Sequence, residues 1–276
     1  MYTVSGDYLK TVKDPVKRIG GVITENTTTV THADDLRSFK LTTSGGLGKS
    51  VMRELQASVL GAYSWLNKSL TPSLRVFLND SNGNSTDVYE DVNYGTFTVV
   101  EQTDLIKDGE IQVKAYDKMY EANQEFSVTL SYPCTMLELL QAICTALTWT
   151  LASSSFVNDD LVIASDIFSG YGLTYRDVLD DIAEASGSII RFNGSDELEV
   201  VSVSGASVAS LTKANLLELT VGAKYGPINS IVLARTPQED NIIQKDDSSI
   251  TANGLTELKI ENNILMDSDR VTYITP

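Results

Sequence analysis

The stretch that decides the fold runs from Ala115 to Leu151 and reads AYDKMYEANQEFSVTLSYPCTMLELLQAICTALTWTL. Phe126, Val128 and Leu130 alternate as in a half-buried strand, Pro133 stops the run, and a helical pattern follows. Thr135 stands as N-cap, and Glu138 three residues on completes a capping box that satisfies otherwise unpaired backbone N–H groups. Leu139, Leu140, Ile143 and Leu147 then form one apolar stripe. The pattern returns at 174–192 as TYRDVLDDIAEASGSIIRF. Thr174 and Asp177 take the places of Thr135 and Glu138, while Val178, Leu179 and Ile182 repeat the stripe. The spacing predicts helices over about 135–147 and 174–186, the second ended by Gly187 at the position that favours a left-handed residue.

Upstream of this pair the pattern is β throughout. Residues 1–20 read as an extended leading arm with a KDPVKR turn. VITENTTTVTH is rich in β-branched residues with a turn at Glu25–Asn26, and LRSFKLTT puts Phe39 and Leu41 on one face, Lys40 and Thr42 on the other. LRVFL, YGTFTVVEQ and EIQVKAYD alternate too, the last through Ile111, Val113 and Ala115. VMRELQASVLG fits either a strand through Leu55, Ala57 and Val59 or a helix through Val51, Leu55 and Val59; its β neighbours and Gly61 favour the strand. Asn82–Gly83, inside NDSNGNSTD, marks a hairpin tip. After the second helix, SIIRF and ELEVVSV predict a hairpin across NGSD, and TWTLASSS and LVIASDIF supply β-like runs between the helices. From 206 onward LLELTVGAK, NSIVLAR, TELKIENN and VTYITP resume the β pattern, and the last, with no polar tail, suggests that the chain belongs to a longer protein.

Composition narrows the function. The 276 residues carry 42% apolar residues and a net charge of −16, enough for more than one core but ill suited to gripping nucleic-acid phosphates. No apolar run approaches the ~20 residues of a membrane span, and MYTVSGDYLKTVKDP lacks a signal-peptide core, so synthesis in the cytoplasm is expected. Cys134 and Cys144 flank and enter one helix, about 15 Å apart at 1.5 Å per residue, too far for a disulfide; they read as buried thiols.

None of the candidate chemistries holds. SGGLGKS at 44–50 resembles a phosphate loop, but Thr43 stands where that motif needs its first glycine, and an inter-strand loop is favoured. Asp80, Asn82, Asn84 and Asp87 offer oxygens to calcium, yet Gly83 falls fourth and Asp91 twelfth where the helix-loop-helix site needs Gly sixth and Glu twelfth. Asp159–Asp160 and Asp246–Asp247 read as solvated loop pairs. His32, in a polar THADD context, has no Cys or His cluster nearby and no G-x-S-x-G partner, which leaves neither a zinc site nor a Ser-His pair. Tyr116, Tyr120 and Tyr132 gather near the first helix, where covering a core edge is favoured over stacking a ligand. No catalytic, cofactor-binding or metal-binding residue is expected.

The order of the segments carries a resemblance. AYD at 115–117, YPCTMLELLQAIC at 132–144 and TYRDVLDDIAEASG at 174–187, followed by a hairpin, together resemble the N-terminal hub region of phage tail-tip proteins, the tail-associated or baseplate hub family. The likeness covers about 110–203; GKSVMRELQASVLG and YGTFTVVEQ extend it upstream, and segment order alone extends it past 205. These are packing motifs. The resemblance implies a mainly β fold: a first tube-type β-barrel over 1–117, an α/β insertion with two short helices over 118–205, and a second barrel over 206–276. It further implies a structural virion protein of the tail tip, a homotrimer that adapts a sixfold tail tube to a threefold tip. Its expected partners are distal tail, tail-tube and tape-measure proteins, with DNA passing through its lumen and a place in host cell attachment. A cell-wall hydrolase or endopeptidase and a glycan-binding β protein are the alternatives, and no enzymatic activity is expected.

Overall fold

The computed structural model describes residues 4–13, 17–31, 34–80, 82–105, 109–168, 170–202, 228–234, 242–261 and 265. The first described element is a helix, α1 (Gly6–Lys13), within the stretch where the sequence predicts an extended arm. Lys13 and Lys10 sit in its last turn and Asp7 in its first, complementing the helix dipole. Thr11, on its inner face, is buried and accepts the Asn79 amide at 3.0 Å, which fixes the helix on the sheet.

Nine strands follow: β1 (Arg18–Glu25), β2 (Thr28–Thr31), β3 (Leu36–Ser44), β4 (Lys49–Ser50), β5 (Met52–Leu60), β6 (Ser69–Asn79), β7 (Ser85–Asn93), β8 (Phe97–Leu105) and β9 (Glu110–Asp117). Eight of them form one antiparallel sheet in the order β2-β1-β6-β8-β9-β5-β3, with β7 also on β6. The segment 52–60 is therefore a strand, and Leu55, Ala57 and Val59 face inward as the alternation requires. The sheet rolls so that β3 lies over β1: a Cβ at Gly21 would meet the Phe39 ring at 2.3 Å, so only glycine allows that approach. Ile23, Leu36, Leu70, Phe97 and Trp65 fill the interior. The hydrogen-bonded path runs from β2 to β3 and does not close among the described residues.

The next layer holds both signature helices. A 3₁₀ turn over Lys118–Asn123 leads on to β10 (Cys134–Thr135), α2 (Met136–Ala146), β11 (Thr150–Leu151), β12 (Val162–Ile163), α3 (Tyr175–Ala185), β13 (Ser188–Phe192) and β14 (Glu197–Ser202). Both capping boxes are present, Thr135 with Glu138 and Thr174 with Asp177, and Gly187 takes φ +57° just past α3. Leu139, Leu140, Ile143, Val178, Leu179 and Ile182 are fully buried in one core with Phe192 and Leu198. The alternating residues Phe126, Val128 and Leu130 pack against that core but form no ladder beyond an isolated bridge, Glu125 to Thr174. Their periodicity records one buried face, not a strand.

In the C-terminal segment β15 (Ser230–Ala234) is flanked by β16 (Ile242–Lys245), antiparallel, and β17 (Glu257–Glu261), parallel. A short helix, α4 (Asp247–Asn253), separates the outer two. Asp246, read from sequence as half of a solvated pair, is its N-cap and accepts the Ser248 and Ser249 amides. Ile231 and Leu265 join the helical core. LLELTVGAK, VTYITP and His32 lie outside the described residues.

Candidate functional site

The feature with the densest side-chain chemistry is the seam where the rolled sheet meets the helical layer. Its first element is the glycine-rich loop 44–50. Gly45 and Gly48 adopt φ of +123° and +72°, a course that glycine alone takes without strain. The loop thereby delivers β4 beside β13 as a parallel partner in the sheet β11-β14-β13-β4, with Gly48 N–H on Ser188 O at 2.9 Å and Val51 N–H on Ile190 O at 2.7 Å. The loop is thus an inter-strand connection, and one that threads a strand of the N-terminal segment into another sheet.

Asp180, on α3, accepts the Ser50 amide at 2.7 Å and the Ser50 hydroxyl at 2.5 Å, and Lys49 Nζ lies 3.5 Å from its other oxygen. Arg176, one turn earlier, reaches Ser50 O at 3.5 Å. Beside them burial raises the Asp181 carboxyl to about 7, with Glu184 adding to the rise and Lys49 opposing it.

A second tie sits below. Asp196, at the tip of the β13–β14 hairpin, accepts the Thr96 amide at 2.6 Å and the Thr96 hydroxyl at 2.5 Å. Arg53 on β5 gives its Nε–H to Asp117 at 2.8 Å and an Nη1–H to Tyr94 O at 2.7 Å, and both side chains are almost wholly buried. Burial pushes the Asp117 carboxyl above its ordinary range, with the Arg53 guanidinium and the Met119 amide drawing it back. Asp117 also caps the 3₁₀ turn, so it holds the end of β9 and the start of the helical layer at once.

The remaining sequence candidates are spread apart. Asp80 accepts the Asn82 and Asn84 amides within the hairpin tip, which lowers its pKa, while Asp87 pairs with Arg18 and Asp91 with Arg75. Asp159 accepts the Phe156 amide in a turn. Among the described residues no three potential metal ligands converge. Cys134 and Cys144 are free and buried, and burial raises the Cys144 thiol to about 12. Tyr116 and Tyr120 stack at 5.1 Å, whereas Tyr132 packs on the helical core, its hydroxyl pushed to about 12 by burial and Asp166. Arg53, Asp117, Asp180 and Asp196 carried no sequence signal, because each is defined by a partner far away in the chain.

What this arrangement can do is mechanical. Two carboxylates on the helical layer seize loop amides and hydroxyls of the β-sheet, a strand crosses between them, and a buried ion pair lies underneath. Such a joint resists shear between the layers.

No protein-family model matches the chain, and no curated protein matches it in sequence. Solved structures match its fold. The 43 kDa tail protein of prophage MuSo2 from Shewanella oneidensis superposes with a TM-score of 0.56 at 12% identity, over 92% of this chain and 76% of that one. A tail protein from Neisseria meningitidis MC58 gives 0.54 at 12% identity, over 91% and 74%. Prophage tail protein gp18 from Listeria monocytogenes EGD-e gives 0.53 at 10% identity, over 92% and 76%. The chain therefore shares its fold with these tail proteins, mainly β with few helices, and no helix among the described residues is long and apolar enough to cross a membrane.

Proposed function

We propose that the protein is a structural, non-enzymatic hub of a phage or prophage tail tip, assembled as a homotrimer around the DNA channel. In this reading residues 1–117 and 206–276 are the two tube-type barrel domains and 118–205 the insertion between them. Three subunits then present six barrels to a sixfold tube. The observation that carries the reading is a fold shared with two prophage tail proteins and a third tail protein over more than nine-tenths of the chain. The seam supports it, because a ring that transmits load needs its layers locked, and β4 and the Asp180 and Asp196 contacts lock them. The net charge of −16 suits a wall past which DNA slides without adhering. The partners are distal tail, tail-tube and tape-measure proteins, and the location is the virion.

Light scattering with electron microscopy of the full chain tests this. A threefold ring that binds tail-tube or distal tail protein is expected; a monomer with affinity for neither overturns the proposal. Zymography on peptidoglycan is expected to show no clearing, and clearing would transfer the reading to a cell-wall hydrolase.

A further inference from the structure

Three Asn–Gly dipeptides occur in the chain, at 82–83, 193–194 and 253–254. Glycine after asparagine leaves the following backbone nitrogen unshielded by a side chain, so that nitrogen can reach the asparagine carboxamide carbon. The structure treats the three differently. At the tip of the β6–β7 hairpin Asn82 is exposed, and Asp80 Oδ1 accepts its backbone N–H at 2.8 Å. No hydrogen bond to a described residue holds its carboxamide. Gly83 takes φ +80° and gives its N–H to the Asp80 carbonyl at 3.1 Å, a single bond within this turn. Asn193 stands in the β13–β14 turn, where its Oδ1 accepts the Ser195 amide at 2.8 Å and the Glu197 amide at 3.1 Å. Its Nδ2–H is given to Glu197 Oε2 at 3.1 Å. Asn253 closes α4 and gives its Nδ2–H to Ser249 O at 3.2 Å, and the Gly254 nitrogen is turned back to Ile250 O at 2.9 Å. Asn84, beside the first tip, is tied as well, through its Nδ2–H to Asp80 Oδ2 at 3.2 Å.

A carboxamide that must rotate and become tetrahedral gives up the hydrogen bonds of its oxygen and nitrogen, whereas an unheld one turns freely into the near-attack position. We propose that Asn82–Gly83 is a modification site, at which the chain converts its own asparagine to aspartate and isoaspartate with water as the only co-reactant. The Gly83 nitrogen, its proton taken by hydroxide, attacks Asn82 Cγ and forms a C–N bond. The Cγ–Nδ2 bond then breaks, Nδ2 leaves as ammonia with a proton from water, and a five-membered succinimide remains. Water opens the ring, and the ring nitrogen recovers its proton. Opening at Cγ returns the ordinary backbone with an aspartate. Opening at the main-chain carbonyl carbon of residue 82 sends the backbone through Cγ, one methylene longer. Nothing is oxidised or reduced. Either product adds one negative charge beside Asp80, and isoaspartate also breaks the register in which Asp80 Oδ1 accepts the amides of residues 82 and 84. The proposal stands independently of the tail-hub reading.

Peptide mapping by mass spectrometry on the full chain, incubated at pH 8 for weeks, tests it. Replacing NH2 by OH raises a peptide's mass by one dalton, and methylation by an isoaspartyl methyltransferase marks the isoaspartate fraction. In the native chain the peptide holding Asn82 is expected to convert at least about tenfold faster than those holding Asn193 and Asn253, the factor that one retained hydrogen bond of ordinary strength is worth. In urea the three rates are expected to converge to within about threefold, because the folded contacts that hold two of the carboxamides are gone. Asn82→Gln, whose longer side chain requires a six-membered ring, is expected to remove the fast conversion and leave the slow ones unchanged. Native conversion of Asn193 or Asn253 as fast as that of Asn82, a tenfold spread that persists in urea, fast conversion that survives Asn82→Gln, or product without isoaspartate overturns the proposal.

Discussion

Asp180 Oδ1 accepts the backbone N–H of Ser50 at 2.7 Å, although 130 residues separate the two in the chain. The groups that make SGGLGKS look like a phosphate loop, a glycine-bent backbone with a lysine and a serine hydroxyl, are here spent on an internal carboxylate. A loop that resembles a ligand cradle in sequence becomes a socket for a side chain of α3. That exchange joins the sheet to the helical layer.

Removing the carboxylate should therefore loosen the seam. Asp180→Ala strips an acceptor from the Ser50 amide and hydroxyl and a partner from Lys49, and is expected to cost about 2–3 kcal/mol. Asp180→Asn keeps an acceptor oxygen and should cost about 1 kcal/mol. Urea unfolding measures both, and limited proteolysis should cut the 44–50 loop faster in the alanine variant. Equal losses in the two variants would mean that charge, not hydrogen bonding, holds the loop.

The helix caps give a second, local test. Thr135→Ala and Thr174→Ala each remove an acceptor for an amide of the first turn, Glu138 N–H and Asp177 N–H at 3.2 Å. Each is expected to lose ~1 kcal/mol, and the double variant the sum, since the contacts do not share atoms. Thermal unfolding of all three proteins checks this.

These caps were legible from sequence because a capping box lies within four consecutive residues, and the apolar stripes of α2 and α3 follow the helical period. The strands of the rolled sheet were legible for the same reason, through period two. Other features had no local signal. α1 spends its few apolar residues partly on solvent, with Leu9 at 49% exposure, so its pattern is faint. β4 is two residues long and is a strand only because β13 lies beside it. α4 (DSSITAN) buries nothing and owes its start to the Asp246 cap. Arg53 looked like one polar residue on an alternating strand, and nothing nearby in the chain announces Asp117 as its partner.

Asp181 sets a pH dependence whose sign is fixed by its raised pKa. The group titrates near 7 in the folded chain against an ordinary 3.8, chiefly because it is buried, with Glu184, Asp180 and Asp177 adding to the rise and Lys49 opposing it. Between these values the folded protein holds a proton that the unfolded chain has released, so this group's contribution to stability falls as pH rises from about 4 to about 7. Asp181→Asn removes that loss. Its melting temperature should exceed wild type at pH 8 by an amount on the order of a few degrees, and the gap should close toward pH 4. A gap independent of pH would assign the effect to packing.

The cysteines should be silent until the chain opens. Cys144 has its thiol raised to about 12 by burial, and Cys134 is raised by burial and by Glu138. A thiol reagent such as DTNB at pH 8 is expected to modify neither in the native protein and both in denaturant, because the thiolate is the reactive form. Rapid native labelling of Cys144 would mean that the α2 core opens readily.

The buried pair of Arg53 and Asp117 predicts an asymmetry between single and double variants. Arg53→Met leaves Asp117 charged, almost wholly buried and without its cation, and is expected to cost about 3–5 kcal/mol. Asp117→Asn in the same chain removes that charge while keeping an oxygen for the Met119 amide, which Asp117 now accepts at 3.3 Å. The double variant should therefore recover a large part of the loss, since burying two neutral groups avoids the desolvation that an orphaned carboxylate cannot escape. Lowering the pH should rescue the single variant as well, because a carboxyl already pushed upward by burial loses the guanidinium that drew it back and protonates more readily. A double-variant cycle by urea unfolding at pH 5 and pH 8 checks both statements. If the double variant is no more stable than Arg53→Met at either pH, Arg53 contributes through packing and its bond to Tyr94 O rather than through the ion pair.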